Sequence, residues 1–117
     1  MKVQLRMSPT LKLFEESFKN KYNLTDYNNT EELTIFCGIF RQADRFAIIN
    51  HKGPGILYLA GSDTIEERRV KWLKKRVSCM DNIIIVVASD WIENDLKKFN
   101  VHYVKIALLR TNINLWK

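Results

Sequence analysis

The run Asn82-Ile83-Ile84-Ile85-Val86-Val87-Ala88 decides the fold of this chain, together with the Ser89-Asp90 pair that follows it. The run is apolar without interruption and rich in β-branched residues, which favours an extended backbone. A strand covered on both faces has this continuous pattern, whereas a strand with one solvated face alternates between apolar and polar residues. The sequence therefore predicts a strand at residues 83–88 with structure packed on both of its sides.

Three similar apolar runs lie outward from this strand, at residues 33–40, 55–60 and 103–108. The stretches between the runs, 41–51, 65–77 and 91–99, carry apolar residues at helical spacing, as Ile92, Leu96 and Phe99 do in the last of them. Strands that alternate with helices imply right-handed crossovers and a parallel sheet. We predict an α/β chain with a Rossmann-like three-layer α/β/α fold and a mainly parallel sheet of about four to five strands.

The N-terminal residues give a weaker signal. Residues 10–21 are predicted to form an amphipathic helix with Leu11, Phe14 and Phe18 on one face, and residues 22–32 to form a polar loop. Residues 2–6 could form an edge strand. We expect one Rossmann-like domain over residues 1–117, in which residues 1–32 are the N-terminal helix and loop, residues 33–108 the repeated core and residues 109–117 a tail.

The composition is that of an ordinary globular domain, with 46% hydrophobic and 27% charged residues, and it excludes a disordered chain. Cys37 and Cys79 have no partner at metal-ligand spacing, so we predict no metal site and two reduced thiols, with Cys37 in the core. No apolar run reaches the ~18 residues of a membrane span, and the first residues lack the apolar stretch of a signal peptide. We expect a basic cytoplasmic protein, net charge +6, without a membrane span.

The candidate ligand-binding residues follow the predicted strands. Parallel strands bring their carboxyl ends to one edge of the sheet, where ligands of such folds bind, and each following helix adds free backbone amides there. The residues expected at this edge are Gly38, Arg41, Gly61, Ser62, Asp63, Ser89 and Asp90. The spacing of Asp63 to Glu66 and of Asp90 to Glu93 also fits capping boxes, so helix capping alone is the alternative role for these carboxylates.

No complete catalytic constellation is visible. The sequence has neither a Walker lysine loop nor a complete Gly-x-Gly-x-x-Gly element, so it predicts no cofactor, and the catalytic residues stay unknown. His51 precedes a glycine turn at the amino-terminal side of the next strand, which is the wrong end of the sheet for catalysis. We expect His51 and His102 to have structural roles.

The predicted helix at 65–77 is strongly basic. It carries Arg68, Arg69, Lys71, Lys74, Lys75 and Arg76. Most of these side chains should point away from the apolar face, and a solvated helix face is the simpler interpretation. The alternative is a phosphate-contacting patch of a non-enzymatic module that binds nucleic acid or an acidic protein.

Three segments together resemble the N-terminal Rossmann-like domain of glycosyltransferases with the two-domain GT-B architecture. They are Thr34-Ile-Phe-Cys-Gly-Ile-Phe-Arg-Gln-Ala-Asp44, Asn50-His-Lys-Gly-Pro-Gly-Ile-Leu-Tyr-Leu-Ala-Gly-Ser-Asp63 and Ile84-Ile-Val-Val-Ala-Ser-Asp-Trp-Ile-Glu-Asn-Asp-Leu96. The similar features are a strand ending in glycine, a His-Lys-Gly turn, a strand ending in Gly-Ser-Asp and a later strand ending in serine. The combination is familiar from sugar-transferase-like proteins of bacteria and large viruses.

The resemblance implies a transferase-like domain that binds a sugar or a nucleotide-sugar. In the two-domain enzymes, the second Rossmann domain supplies most of the nucleotide-sugar site, and this sequence holds one such domain. We therefore expect catalysis to need a second Rossmann-domain polypeptide or a homo-oligomer, and whether the chain acts as an enzyme is left open.

Overall fold

A computed structural model describes residues 3–59 and 66–106 of the chain. Its strands are β1 (Gln4–Met7), β2 (Thr25–Asp26), β3 (Thr34–Cys37), β4 (Gly55–Leu59), β5 (Ile83–Val87) and β6 (Val104–Lys105). Its helices are a 3-10 helix (Pro9–Phe14), α1 (Glu15–Tyr22), α2 (Gln42–Asn50), α3 (Glu67–Trp72), a π-helical continuation of α3 (Leu73–Val77) and α4 (Asp90–Lys98). The predicted α/β class and Rossmann-like fold are confirmed.

The described strands form one sheet of six parallel strands in the order β2-β1-β3-β4-β5-β6. The predicted strands at 33–40, 55–60, 83–88 and 103–108 correspond to β3, β4, β5 and β6, although the last prediction extends beyond the described residues. The sheet has more strands than predicted because β1 and β2 add to it at the amino-terminal side.

The direction of each crossover decides which face of the sheet its helix covers. The connections from β3 through β6 all advance the same way across the sheet, so right-handed crossovers place α2, α3 and α4 on one face. The crossover from β1 to β2 runs the opposite way and places α1 on the other face. We call these the three-helix face and the α1 face.

Each face has its own core. On the three-helix face, Phe36, Leu57 and Ile85 from the strands pack with buried residues of the helices, including Val70, Leu73, Val77, Ile92 and Leu96. The helix stripes predicted for 65–77 and 91–99 thus meet the sheet. On the α1 face, the buried residues are Leu5, Cys37, Tyr58 and Ala88, and Leu11 and Phe18 pack against them. The predicted core position of Cys37 is confirmed.

The prediction that β5 is covered on both faces is correct for only one of them. Ile83, Ile85 and Val87 point to the three-helix face and are buried, but Ile84 points to the α1 face and is 53% exposed. The apolar side chain of Ile84 therefore lies on a part of the sheet that no described helix covers.

The N-terminal predictions need correction. Residues 2–6 were expected at an edge, but β1 lies between β2 and β3, and the predicted loop 22–32 contains β2. The predicted helix at 10–21 starts as a 3-10 helix after Ser8-Pro9, and Phe14 is 63% exposed instead of packing with Leu11 and Phe18.

The chain returns from β2 to β3 without a helix, and Gln4 holds this connection in place. The Gln4 side chain is fully buried. Its Oε1 accepts hydrogen bonds from the backbone N–H groups of Asn28 and Asn29, and its Nε2 donates to Asn29 O and Thr34 Oγ1. A single buried amide thus satisfies backbone groups that a helix would otherwise satisfy internally.

Within the described residues, no helix is long and apolar enough to cross a membrane.

Candidate functional site at the carboxyl edge of the sheet

The strand order reverses direction between β1 and β3, since the chain leaves β1 towards β2 and leaves β3 towards β4. Segments that follow two such strands diverge and leave a crevice beyond the carboxyl ends, which is where open α/β sheets bind their ligands. Here the two segments are Ser8, which follows β1, and Gly38–Arg41, which follows β3, and we call the region between them the crevice.

Gly38 and Ser8 form the floor of this crevice. Gly38 has a positive φ of 94°, and a Cβ added to it would lie 2.7 Å from the Cβ of Ser8. The backbone N–H of Ser8 donates to Cys37 O at 2.8 Å, and Ser8 is fully buried. Both the backbone conformation and the close approach of the two segments therefore require glycine at position 38.

A buried carboxylate fixes the side of the crevice. Asp44 is 1% exposed and lies in the first turn of α2. Its Oδ1 is 2.6 Å from Arg6 Nη1 on β1, and its Oδ2 accepts the backbone N–H of Arg41 at 2.9 Å. The second contact is the reciprocal half of a capping box, but Arg41 has no side-chain acceptor, so no Ser/Thr-x-x-Glu/Gln signature marks it in the sequence. The contact with Arg6 had no sequence signal either, because it joins residues far apart in the chain.

Three arginines lie at or beside the Gly38–Arg41 segment, and we call them the rim. Arg41 is exposed at the N-cap of α2, and Arg45 Nη1 donates to Ile39 O at 2.8 Å. The guanidinium carbon of Arg69 lies 5.2 Å from the centre of the Phe40 ring, which is a cation–π distance. These three arginines surround the segment that follows β3, so the rim favours an anionic ligand.

Glu66 balances part of this positive charge. Its carboxylate accepts a hydrogen bond from Arg68 at 2.7 Å and lies 3.4 Å from Arg69 Nε. The hydrogen bond from Arg68 is the main cause that lowers the pKa of Glu66, and the charges of Arg68, Arg69 and Arg45 lower it further. Glu66 is therefore ionised at neutral pH, where it holds Arg68 and Arg69 in place.

The predicted site residues after β5 are not brought into contact with those after β3. Two strand spacings, about 10 Å, separate β3 from β5. Ser89 is the N-cap of α4, and its side chain makes no capping hydrogen bond. Asp90 is the first helical residue and not the N-cap, so the predicted Asp90–Glu93 capping box is wrong. Gly61, Ser62 and Asp63 lie outside the described residues, and so does the capping box predicted for Asp63 and Glu66.

Asp90 instead belongs to a second polar cluster at the end of β6. Lys105 Nζ contacts Asp90 Oδ1 at 2.5 Å and Glu93 Oε1 at 3.1 Å, and Tyr103 donates its hydroxyl to Glu93 Oε2 at 2.6 Å. The hydrogen bond from Tyr103, followed by that from Lys105, lowers the pKa of Glu93, and the two carboxylates together raise the pKa of Lys105. These charges are mutually satisfied, which favours a structural role for the cluster.

The basic helix is divided by the fold. Arg69 has a side chain that is 14% exposed and turns towards Phe40, so it belongs to the crevice. The other basic residues of the helix are exposed: Arg68, Lys71, Lys74, Lys75 and Arg76. Lys71 pairs with Glu67 at 3.1 Å, whereas Lys75 and Arg76 form no ion pair within the described residues. The backbone under this surface is π-helical, with Ser78 N–H bonded to Leu73 O.

His51 lies at the opposite edge of the sheet from the crevice. It is buried, and its ring nitrogens lie 3.1 Å from the Tyr27 hydroxyl and 3.2 Å from Pro54 O. His51 thus joins the end of α2 to the β2–β3 connection, which is a structural role.

Among residues 3–59 and 66–106, no three His, Cys, Asp or Glu side chains are grouped to hold a metal ion.

The fold and the site together define a parallel α/β domain of Rossmann-like class with an arginine-rimmed crevice at its switch point. Comparison of the chain with protein-family models, with curated proteins and with solved structures found no match. The similarity to glycosyltransferases therefore rests on the sequence motifs alone.

Proposed function

We propose that this domain binds a phosphate-bearing ligand, most simply a nucleotide-sugar, in the crevice between Ser8 and the Gly38–Arg41 segment. The observation that carries the proposal is the arginine rim formed by Arg41, Arg45 and Arg69 around a close-packed glycine at the switch point of a parallel sheet. Guanidinium groups match phosphate oxygens in bidentate geometry, and Gly38 allows the backbone of the segment to pack closely against Ser8. The glycosyltransferase-like motifs supply the sugar part of the proposal.

The same crevice supports binding better than independent catalysis. Asp44 is its buried carboxylate, and Arg6 and the Arg41 N–H already engage both oxygens. A general base must be able to reach a proton of the substrate, which a fully engaged carboxylate cannot do. We therefore propose a glycosyltransferase-like half-site in the cytoplasm that acts with a second Rossmann domain, on another polypeptide or on another copy of this chain.

The test is titration with UDP-glucose, with UDP and with inorganic phosphate, monitored by thermal shift and calorimetry. Arg41→Ala should weaken UDP binding about 10- to 100-fold, which corresponds to the loss of about 1.5–3 kcal/mol for a hydrogen bond to a charged group. Lys97→Ala removes the same charge from the exposed surface of α4 and serves as the matched control. Unchanged affinity in Arg41→Ala, or equal loss in Lys97→Ala, would reject the crevice as the site.

A second candidate function uses the exposed basic surface at Lys71, Lys74, Lys75 and Arg76 to bind nucleic acid. The observation in its favour is that Lys75 and Arg76 have no carboxylate partner in the described part of the chain. Binding of this kind falls steeply with salt, because it releases counterions from the phosphates. Charge reversal at Lys71, Lys75 and Arg76 should abolish binding to single-stranded and duplex oligonucleotides and leave UDP binding unchanged. Salt-sensitive binding of an acidic protein but not of oligonucleotides would point to a protein partner.

A further inference from the structure

The space between α1 and the sheet is incompletely filled. α1 packs on the α1 face through Phe18, yet none of the helix residues is buried. Phe18 and Tyr22 line the gap between the helix and the sheet, and both are only half-buried. Protein interiors leave few gaps larger than a water molecule, so a larger gap under a helix indicates room for another group.

The gap is a cavity of about 330 Å³ with an apolar wall. Besides the two α1 residues, the wall consists of side chains from the strands and from the end of β6: Ile35, Ile56, Tyr58, Val86 and Ile106. None of these residues is charged. Small-molecule sites have this character, with volumes from about 300 Å³ upwards, mostly apolar and aromatic walls and a few polar groups that orient the ligand.

Tyr58 supplies such a polar group. The residue lines the cavity and is 8% exposed, and its hydroxyl forms no hydrogen bond within residues 3–59 and 66–106. Native proteins satisfy the large majority of their buried polar groups, so each exception needs an explanation. A ligand oxygen in the cavity would give the Tyr58 hydroxyl the acceptor that it lacks among these residues.

The cavity also indicates the chemical class of the ligand. An apolar cavity of about 150 Å³ holds benzene, so about twice that volume has room for two fused rings. The ring of Phe18 lies 5.0 Å from that of Tyr22 and 6.3 Å from that of Tyr58, and such a group of rings favours a further aromatic ring. A wall without charged residues disfavours an ionised ligand, because a buried charge needs a partner.

We propose that this cavity binds an uncharged aromatic molecule of one or two rings, with one oxygen that accepts a hydrogen bond from the Tyr58 hydroxyl. The proposal does not rest on the crevice. Substitutions in the cavity should leave UDP binding unchanged, so either proposal can fail alone.

The test is calorimetry and ligand-observed NMR at pH 7 with 2-naphthol, naphthalene and 2-naphthoate. The folded wild type should bind 2-naphthol, and 2-naphthoate at least about tenfold more weakly. Tyr58→Phe should weaken 2-naphthol binding about 2- to 10-fold, as expected for the loss of one hydrogen bond, and leave naphthalene binding unchanged. Tyr103→Phe is the matched control, because Tyr103 does not line the cavity, and it should change neither affinity.

A filled cavity provides the second arm. Val86 is the cross-strand partner of Tyr58 and is half-buried, so Val86→Phe adds a ring beside Tyr58 and should abolish binding of both 2-naphthol and naphthalene. Circular dichroism and urea unfolding establish that the variant is folded. If it does not fold, Ile56→Phe fills the cavity from β4 instead.

Several results would overturn the proposal. They are no binding of 2-naphthol to the folded wild type, unchanged binding in a folded cavity-filling variant, unchanged 2-naphthol affinity in Tyr58→Phe, and equal affinity for 2-naphthoate. An affinity that falls as the protein concentration rises would assign the face to a second copy of the chain and would overturn it as well.

Discussion

Replacing Tyr58 with phenylalanine removes one oxygen atom from the interior of the protein and tests the packing of the α1 face. Tyr58 lies on β4, is 8% exposed and has its ring 6.3 Å from that of Phe18. Its hydroxyl is buried and has no hydrogen-bond partner among the residues that the structure describes. Phenylalanine keeps the ring and its contacts, so the substitution isolates the effect of the hydroxyl.

The magnitude follows from the missing partner. A hydroxyl buried without a hydrogen bond destabilises a folded protein by about 1–3 kcal/mol in mutational data. Tyr58→Phe should therefore raise the free energy of unfolding by about 1 kcal/mol or more at pH 7, which for a domain of this size raises the Tm by about 4 °C. Most core substitutions lower stability, so a gain would be diagnostic.

The pH dependence gives a second, independent magnitude. Burial is the main cause that raises the pKa of Tyr58 to about 12, from 10.0. Between pH 10 and pH 12 the unfolded state releases the Tyr58 proton, whereas the folded state keeps it. The free energy of unfolding therefore falls as the pH rises from 10 to 12. At pH 11 the loss is about 1 kcal/mol in the wild type and absent in Tyr58→Phe. The difference between the two proteins should therefore widen by that amount between pH 7 and pH 11.

Urea unfolding at pH 7, 10 and 11 measures both effects, and absorbance at alkaline pH should show an ionisation near pH 12 that Tyr58→Phe lacks. Tyr103→Phe is the matched control: its hydroxyl donates to Glu93, so its loss should lower stability instead of raising it. The reasoning is refuted if Tyr58→Phe is less stable than the wild type at pH 7, or if the two proteins lose stability in parallel up to pH 11.

Three further substitutions test the crevice and the connection beside it, with urea unfolding as the assay for each. Asp44→Ala leaves the Arg6 guanidinium and a backbone N–H without their partner and should lower stability by about 3–5 kcal/mol, whereas adding Arg6→Met should restore part of the loss. Gln4→Leu strands two backbone N–H groups and should lower stability by about 3 kcal/mol, with faster hydrogen exchange in the β2–β3 connection as the specific sign. Gly38→Ala combines a positive φ with a Cβ contact of 2.7 Å and should lower stability by about 1–3 kcal/mol, and Ser8→Gly should rescue the part due to the contact.

The apolar strands of the sheet were predictable from the sequence, whereas the polar strands β1 and β2 were not placed correctly. β3, β4 and β5 are recognisable because their side chains on the three-helix face are apolar, such as Phe36, Leu57 and Ile85. β1 presents Gln4 and Arg6 to that face instead, and their polar groups are satisfied by partners 25 and 38 residues away. No local pattern reports such partners, so β1 was placed at an edge and β2 was taken for a loop.

The candidate site was predictable in position but not in composition. The carboxyl ends of parallel strands are identifiable from the strands themselves, and Gly38 and Arg41 do lie at the crevice. Asp44 and Arg45 lie at the crevice because α2 begins at Gln42. Arg69 lies there because α3 packs beside Phe40. The predicted strand at 33–40 was too long for a related reason, since the positive φ of Gly38 ends β3 at Cys37.

One topological event produces both the crevice and the uncovered part of the α1 face. The reversal between β1 and β3 opens the crevice at the carboxyl edge, and the same reversal leaves α1 on its face of the sheet opposite the other three helices. The two surfaces are nonetheless separate, because Arg41 lies beyond the end of β3 whereas Ile84 lies near the start of β5, on the sheet itself. Ile84→Ser should therefore leave UDP binding unchanged, whereas Arg41→Ala should weaken it, and an equal loss of UDP affinity in the two variants would contradict the separation of the two surfaces.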